Sequence, residues 1–314
     1  MLNVALVGVG GISDAHISAW NSLKNAQLVA LCDIREKQME KYPGVRHYVS
    51  FEDMLEHETL DIVDICLPTY LHTEYSAKAM EKGIHVICEK PVSLNPQDVE
   101  CLYSVADKNQ VKFMVAQVLR FWPEYELLKE IYDSQKFGKL LSASFSRLSS
   151  APKWSWENWM RDERRSGLVP FDLHIHDLDF IIYAFGQPVN MRKHRSKRPT
   201  QDYVHVVYEY DGFFVSAQAS WFASPYPFTA GYRAQFEKAV VAYENGNCKI
   251  YEEDGKITDF SSTAIGDTGS INLPKSDAYT NEIRYFADCV LANIFPDKVK
   301  PEELSTVIKL LKKV

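Results

Sequence analysis

Two short stretches of this 314-residue chain put chemistry-bearing side chains where packing alone would not. In GIHVICEKPVSL, residues 83–94, an apolar run of strand type ends on Glu89 and Lys90 back to back, and Pro91 follows. In GLVPFDLHIHDLDFIIYAFG, residues 167–186, Asp172 and His176 stand at i and i+4. If a helix begins near Phe171, Asp172, His176, Asp179 and Tyr183 fall within about 60° of one another at roughly 100° per residue, a polar stripe on an otherwise apolar helix. His174 lies some 160° from His176 on the same wheel, and no cysteine joins His176 at helical spacing, so no metal is expected. A lysine can hydrogen-bond a reacting oxygen and steady its charge; a histidine, titrating near pH ~6.5 when free, can take a proton that an aspartate helps it hold. Taken singly, each group has a plainer reading: a solvated ion pair, a helix cap, a core histidine.

The elements that must position these groups are readable upstream. NVALVGVG, QLVALCDI, DIVDICLP, IHVICEKP and VKFMVAQVLR are short β-branched runs, separated by helix-like segments such as ISDAHISAWNSL and HTEYSAKAMEKG, the latter closed by Gly83. Such alternation implies parallel strands joined by right-handed crossovers and buried on both faces. Ligands of these sheets lie at the carboxyl ends of the strands. Glu89, Lys90 and Pro91 stand there, as do Pro68, Thr69 and His72 of CLPTYLHT, where Thr69 and His72 could equally cap the next helix. A cis Lys90–Pro91 bond suits so sharp a turn. VALVGVGGIS puts Gly8 and Gly10 between the first strand and the first helix; Gly8 permits the tight turn, and Gly10 lets the backbone approach a pyrophosphate at the helix N-terminus. Ser13 occupies the third position of the G-x-G-x-x-G pattern. Asp33 ends the second strand, placed for adenosine ribose hydroxyls. It repels a 2′-phosphate and favours NAD; Arg35 beside it softens that preference and keeps NADP as the alternative.

After about residue 120 the pattern changes to hairpins with Asp-Gly or Asn-Gly turns: YVHVVYEYDGFFVSAQASWF, VVAYENGNCKIY and YEEDGKITDF. The expected architecture is α/β, with a Rossmann doubly wound parallel sheet over residues 1–120 and an α+β domain with a large open, mostly antiparallel sheet over 121–314. The tail segments NEIRYFADCVLANI and PEELSTVIKLLKKV read as helices. Hydrophobic content of 46% against 25% charged residues excludes a disordered chain. A formal net charge of −7 speaks against nucleic acid and anionic membranes; MRKHRSKRP, residues 191–199, is the one basic cluster and reads as a solvated loop. The six cysteines show no Cys-x-x-Cys spacing, and Cys32, Cys66 and Cys88 sit in strand-like runs, which points to a reducing compartment. No basic-then-apolar leader opens the chain and no apolar run reaches membrane-spanning length, so a cytoplasmic protein with a small-molecule partner is expected.

Together the glycine loop, the Pro-Thr-x-x-His turn, the Glu-Lys-Pro signature, VLRFWPEY and FDLHIHDLD resemble the glucose-fructose oxidoreductase, inositol dehydrogenase and MocA family (Gfo/Idh/MocA) over essentially the whole chain. The resemblance implies that Lys90 is the catalytic lysine, that Glu89 and Pro91 shape its position, and that Asp172 and His176 match the family's aspartate and histidine. It also implies hydride transfer between a nicotinamide and a secondary alcohol of a sugar, polyol or related compound. In that reaction His176 is the natural general base, Asp172 orients its ring, and Lys90 hydrogen-bonds the reacting oxygen or relays the proton. The expected cofactor contacts are Gly8, Gly10, Gly11, Ile12, Asp33, Arg35, Leu67, Pro68, Thr69, His72, Glu89, Lys90 and Gln117, with groups from both domains converging on one cleft. Ser166 and Gly167 replace the glycine pair of many members and His174 replaces a glycine, departures that bear on the substrate pocket. Trp154, Trp156 and Trp159 offer aromatic faces to a sugar ring, with at least one expected in the core. The sheet over residues 203–222 needs a cover, and the resemblance suggests a homodimer or homotetramer built on it. Two other readings share these motifs: a redox-neutral, NAD-dependent glycoside hydrolase or lyase, and a non-catalytic dinucleotide-binding regulator, which would be expected to lose Lys90, Asp172 or His176.

Overall fold

The computed structural model describes residues 1–261 and 276–314, which fall into two compact units. In the first, six strands, β1 (Leu2–Val7), β2 (Ala26–Cys32), β3 (Arg46–Tyr48), β4 (Ile62–Ile65), β5 (His85–Glu89) and β6 (Phe113–Ala116), alternate with α1 (Ser13–Ser22), α2 (Phe51–His57), α3 (Thr69–Glu81) and α4 (Pro96–Lys108). The strands lie in the order β3-β2-β1-β4-β5-β6 and all pairs are parallel. This is the doubly wound order whose direction reverses between β1 and β4. Local chemistry sets the helix ends. Ser50 caps α2 by accepting the Asp53 N–H, Pro96 opens α4, and α3 stops where Gly83, at φ +79, turns left-handed. β4 is buried along its whole length, although Asp64 lies in its middle. A buried carboxylate in a central strand must find partners, because its desolvation is otherwise uncompensated.

The second unit contains α5 (Pro123–Ser134), β7 (Leu140–Ser150), α6 (Glu163–Ser166), a π turn at Pro170–His174 and α7 (Ile175–Phe185). There follow β8 (Asn190–Arg198), β9 (Gln201–Glu209), β10 (Phe214–Phe222), β11 (Thr229–Phe236), β12 (Ala239–Glu244), β13 (Asn247–Glu252) and β14 (Ile257–Asp259). These form one sheet, β14-β13-β12-β11-β7-β10-β9-β8, antiparallel except between β7 and β10. Asn245 at φ +53 and Gly246 at φ +77 give the two positive φ values of a type I′ turn between β12 and β13. Period-two alternation buries one face: Val204, Val206 and Tyr208 of β9 are inside while Tyr203, His205 and Val207 stay half-exposed.

Two readings of the sequence change here. The basic run at 191–199 is the edge strand β8 and not a loop. Its cations pair with acids, Arg195 with Asp202 and Lys197 with Glu163, and so hide the alternation; a charged edge also discourages pairing with a further strand. The second change concerns α8 (Ala278–Ala292), which the sequence reading kept with everything after residue 120. It packs on α1, so the first unit takes in Met1–Val118 and the chain through Ser305, while the second runs from Leu119 and resumes at Thr306–Val314 after α9 (Pro301–Leu311) begins. An amphipathic pattern shows that Ile283, Phe286 and Ala287 are buried but not against which sheet. Among the described residues no helix is long and apolar enough to cross a membrane.

Candidate active site

The loop after β1 is built for a close approach. Gly8 sits at φ +94, and a Cβ there would meet the Cys66 carbonyl oxygen at 2.7 Å. Only glycine fits against the end of β4. A Cβ on Gly10 would meet nothing within 4 Å, so the backbone there faces open space. Ser13 is fully buried and its Oγ donates to the Gly10 carbonyl at 2.7 Å, which pins the loop to the first turn of α1. Asp33 Oδ2 accepts the Val9 N–H at 2.9 Å, and Oδ1 accepts the Arg35 N–H at 2.8 Å and its Nε–H at 3.2 Å. The carboxylate therefore ties the loop to the end of β2 and is partly neutralised by Arg35. An open glycine cradle at a helix N-terminus, flanked by this carboxylate, fits a dinucleotide.

At the end of β5 the chain turns through a cis Lys90–Pro91 bond. Glu89 is buried and Lys90 half-buried, and Glu89 Oε2 accepts the Lys90 backbone N–H at 3.0 Å. Thr69 opens α3 directly after Pro68 and is buried, as is Gln117 beyond β6. His72 is also buried: Nδ1 lies 2.8 Å from the Pro91 carbonyl and Nε2 2.6 Å from that of Leu67. Its ring thus joins two of the strand-end turns, and burial holds its pKa below the usual value.

The sequence reading did not single out His16, Trp20 or Asp64. His16 Nδ1 lies 2.8 Å from Asp64 Oδ2, and the Trp20 Nε1–H donates to the same oxygen at 2.7 Å. His16 Nε2 lies 3.1 Å from Glu89 Oε1. Burial depresses the imidazole, but Asp64 and Cys66 together, through charge and hydrogen bonding, hold its pKa well above the usual value. His16, Asp64 and Cys66 have ligand atoms within 4.8 Å of one another, the one group of metal-ligating type among the described residues. Hydrogen bonds already engage these atoms, the Cys66 thiol donating to Asp64 Oδ1 at 3.5 Å. The signal was in the sequence: an Asp inside the apolar run DIVDIC, and a His and a Trp at i and i+4 on the helix above it.

In the second unit, Asp172 and His176 are the two positions of residues 171–182 that are not fully buried. They straddle the junction of the π turn with α7, a feature common at functional sites. The expected polar stripe divides here. Asp179 is buried against Arg120, and the Tyr183 ring lies under the Arg120 guanidinium at 4.8 Å. His174 and Asp177 point elsewhere: His174 Nε2 meets the Tyr208 hydroxyl at 2.7 Å, and Asp177 pairs with Arg147 at 2.8 Å. Burial, then Arg147 and His205, push the His174 pKa down to about 3. Of the three tryptophans, Trp159 packs on the core around Val169 and Trp221, whereas Trp154 and Trp156 are 65% and 41% exposed.

Comparison with known proteins agrees with this construction. The profile described as the oxidoreductase family with an NAD-binding Rossmann fold matches residues 2–117, and that of the GFO/IDH/MocA C-terminal domain matches residues 125–258. Glucose-6-phosphate 3-dehydrogenase of Bacillus subtilis is 27% identical over 207 residues, which cover 64% of this chain and 58% of the relative. Myo-inositol 2-dehydrogenase of Thermotoga maritima is 28% identical over 192 residues, covering 60% and 56%. The chain matches little more than half the length of these curated relatives. A levoglucosan dehydrogenase solved with NADH and levoglucosan superposes with TM-score 0.85 at 16% identity, over 99% of this chain and 95% of that one. An NAD binding oxidoreductase from Klebsiella pneumoniae gives 0.82 at 20% identity, over 100% and 95%. A doubly wound nucleotide-binding sheet and an open, mostly antiparallel sheet, each matched by its own profile in the same order along the sequence, make this chain a member of the Gfo/Idh/MocA family.

Proposed function

We propose that the protein is an NAD-dependent oxidoreductase that moves a hydride between a nicotinamide and a secondary hydroxyl of a sugar or polyol. The observation that carries this reading is the placement of Lys90 at the carboxyl end of β5, two strands from the glycine cradle on one parallel sheet. The relatives' names, dehydrogenases of a sugar phosphate and of an inositol, support the substrate class.

Gly8, Gly10, Gly11 and Ile12 hold the pyrophosphate, Asp33 the adenosine ribose, and the turns at Leu67–Thr69 and Glu89–Lys90, with Gln117, the nicotinamide end. When bound, the nicotinamide supplies the hydride acceptor. Lys90 donates a hydrogen bond to the substrate oxygen that loses its proton. His176 takes that proton, and Asp172 orients the imidazole. Because Asp33 is free of neither Val9 nor Arg35, it opposes a 2′-phosphate less than an isolated acid would; NAD is the preferred cofactor and NADPH a weaker ligand. Trp154 and Trp156 are the aromatic faces available to a sugar ring.

The half-exposed face of the large sheet, where Tyr203, Gln218 and Ser146 are hydrogen-bonded in a row, is proposed as the self-association surface of a dimer or tetramer. The cysteines, all free thiols, support a reducing, cytoplasmic setting.

The test mixes purified protein with NAD⁺ or NADP⁺ and a panel of inositols, aldoses, sugar acids and amino sugars, and follows reduced-nicotinamide absorbance. Accumulation with one member of the panel establishes the dehydrogenase. Bond cleavage in a glycoside with no net reduced cofactor replaces it with the redox-neutral hydrolase, and tight NADH binding with no turnover of any kind replaces it with the regulator.

A further inference from the structure

The turn that carries Lys90 is gripped at both ends by buried histidines. On one side, Glu89 divides its carboxylate: Oε2 takes the Lys90 N–H at 3.0 Å, and Oε1 lies 3.1 Å from His16 Nε2. On the other, the Pro91 carbonyl lies 2.8 Å from His72 Nδ1. Both rings are buried, His16 at 0% and His72 at 1% exposure.

We propose that His16 and His72 are positioning residues that fix Lys90, with His16 bridging Asp64 and Glu89 through a proton on each ring nitrogen. A neutral imidazole has one N–H and one lone pair. Set between two carboxylate oxygens at 2.8 Å and 3.1 Å, it would turn that lone pair on one of them. A second ring proton removes the conflict and faces Asp64, which is itself held by the Trp20 N–H. The groups facing His16 are Asp64 and Cys66 at β4, Glu89 at the end of β5 and the Tyr279 ring of α8 at 6.0 Å, with Glu282 buried on that same helix. His72 lies between the Pro91 and Leu67 carbonyls, its neutral ring donating to one of them, and so packs the β5 turn against the β4 turn. With Glu89 and Pro91 both anchored, the backbone on either side of Lys90 is fixed before a substrate arrives.

The proposal rests on the reading of Lys90 as the residue that meets substrate, and its test reads Lys90 without turnover. Lysines of the full chain are reductively methylated with ¹³C-formaldehyde, and the Lys90 resonance is assigned by its loss in Lys90→Ala. The expected result is a resolved Lys90 signal in the wild type that moves into the bulk lysine envelope in His16→Ala and in His72→Ala, while the Lys78 signal stays in place. His16→Gln, whose amide N–H replaces that of Nε2, restores at least half of the displacement. Should His16→Ala fail to fold, Glu89→Met breaks the same bridge from its other end and is read in the same way. For any substrate found, kcat falls about 100-fold in His16→Ala while the NADH Kd changes by less than threefold. An unmoved Lys90 signal in a folded His16 or Glu89 variant overturns the proposal. So does stoichiometric zinc in the purified protein that Cys66→Ser abolishes. Absence of any substrate, with the Lys90 signal behaving as stated, counts against the dehydrogenase reading alone.

Discussion

Arg120 and Asp179 form a two-pronged ion pair, Nε to Oδ2 at 2.8 Å and Nη2 to Oδ1 at 2.7 Å, with side chains 0% and 1% exposed. The pair anchors α7, which carries His176 at its start, to the short helical turn that precedes α5. Breaking a buried pair from one side leaves an uncompensated charge. Asp179→Ala is therefore expected to lose about 3–5 kcal/mol of stability in urea unfolding, and the double variant Arg120→Met/Asp179→Leu to lose less than Asp179→Ala. A single-variant loss under about 1 kcal/mol, the value of an exposed pair, would show that α7 is held by its apolar packing instead.

Gly8 and Gly10 separate folding from binding. Gly8→Ala forces a Cβ against the Cys66 carbonyl at a positive φ and is expected to cost roughly 2–4 kcal/mol of stability. Gly10→Ala meets no atom and is expected to leave stability within about 0.5 kcal/mol. It fills the cradle, however, and should weaken NADH about tenfold, some 1.4 kcal/mol. Paired urea unfolding and NADH fluorescence titrations check this, and a Gly10→Ala protein that binds NADH normally would remove the pyrophosphate from that position.

Cofactor preference turns on Asp33. Asp33→Ser removes the charge that repels a 2′-phosphate and leaves Arg35 without its acid, so the ratio of NADPH to NADH affinity is expected to rise at least about tenfold. Isothermal titration with both cofactors gives the ratio; an unchanged value would assign discrimination to other residues.

The pH dependence of stability has a definite sign. His174 in the folded protein takes a proton only near pH 3, against about 6.5 when unfolded. Between those values the unfolded chain holds the extra proton, so stability rises with pH by up to about 1.4 kcal/mol per unit. His72 and His85, both lowered by burial, act in the same direction. His16 acts oppositely: its stabilisation is complete below about pH 6.5 and is lost as pH rises through its elevated folded value. Urea midpoints from pH 4 to 6.5 should therefore show a shallower slope for His174→Gln than for the wild type, and parallel lines would contradict the neutral buried ring.

Much of this fold is legible in the sequence. The glycine loop, the alternation of strand and helix and the Asn-Gly and Asp-Gly turns are local signals, and the sheets follow them. So do the cis Lys90–Pro91 turn and the exclusion of His174 from the side that Asp172 and His176 occupy. What was not legible depends on contacts distant in sequence. The partners of Asp64 lie on α1 and at the end of β5, and Arg120 and Arg147 find theirs on α7. The helical wheel failed at Asp179 because a period shows that a residue lies on a face but not what covers that face. The basic run of β8 concealed a strand because every residue but Met191 is polar, so both faces of this edge strand read alike.

In the proposed reaction Lys90 acts on the substrate oxygen. The most direct measurement is the rate of NADH formation by Lys90→Ala against the wild type on whichever sugar or polyol is oxidised, with NADH affinity measured on both proteins. The rate is expected to fall about 10²–10⁴-fold, the usual contribution of a positioned proton-transfer group, with NADH affinity changed by less than a factor of five. A Lys90→Ala protein that reduces NAD⁺ at the wild-type rate would contradict it.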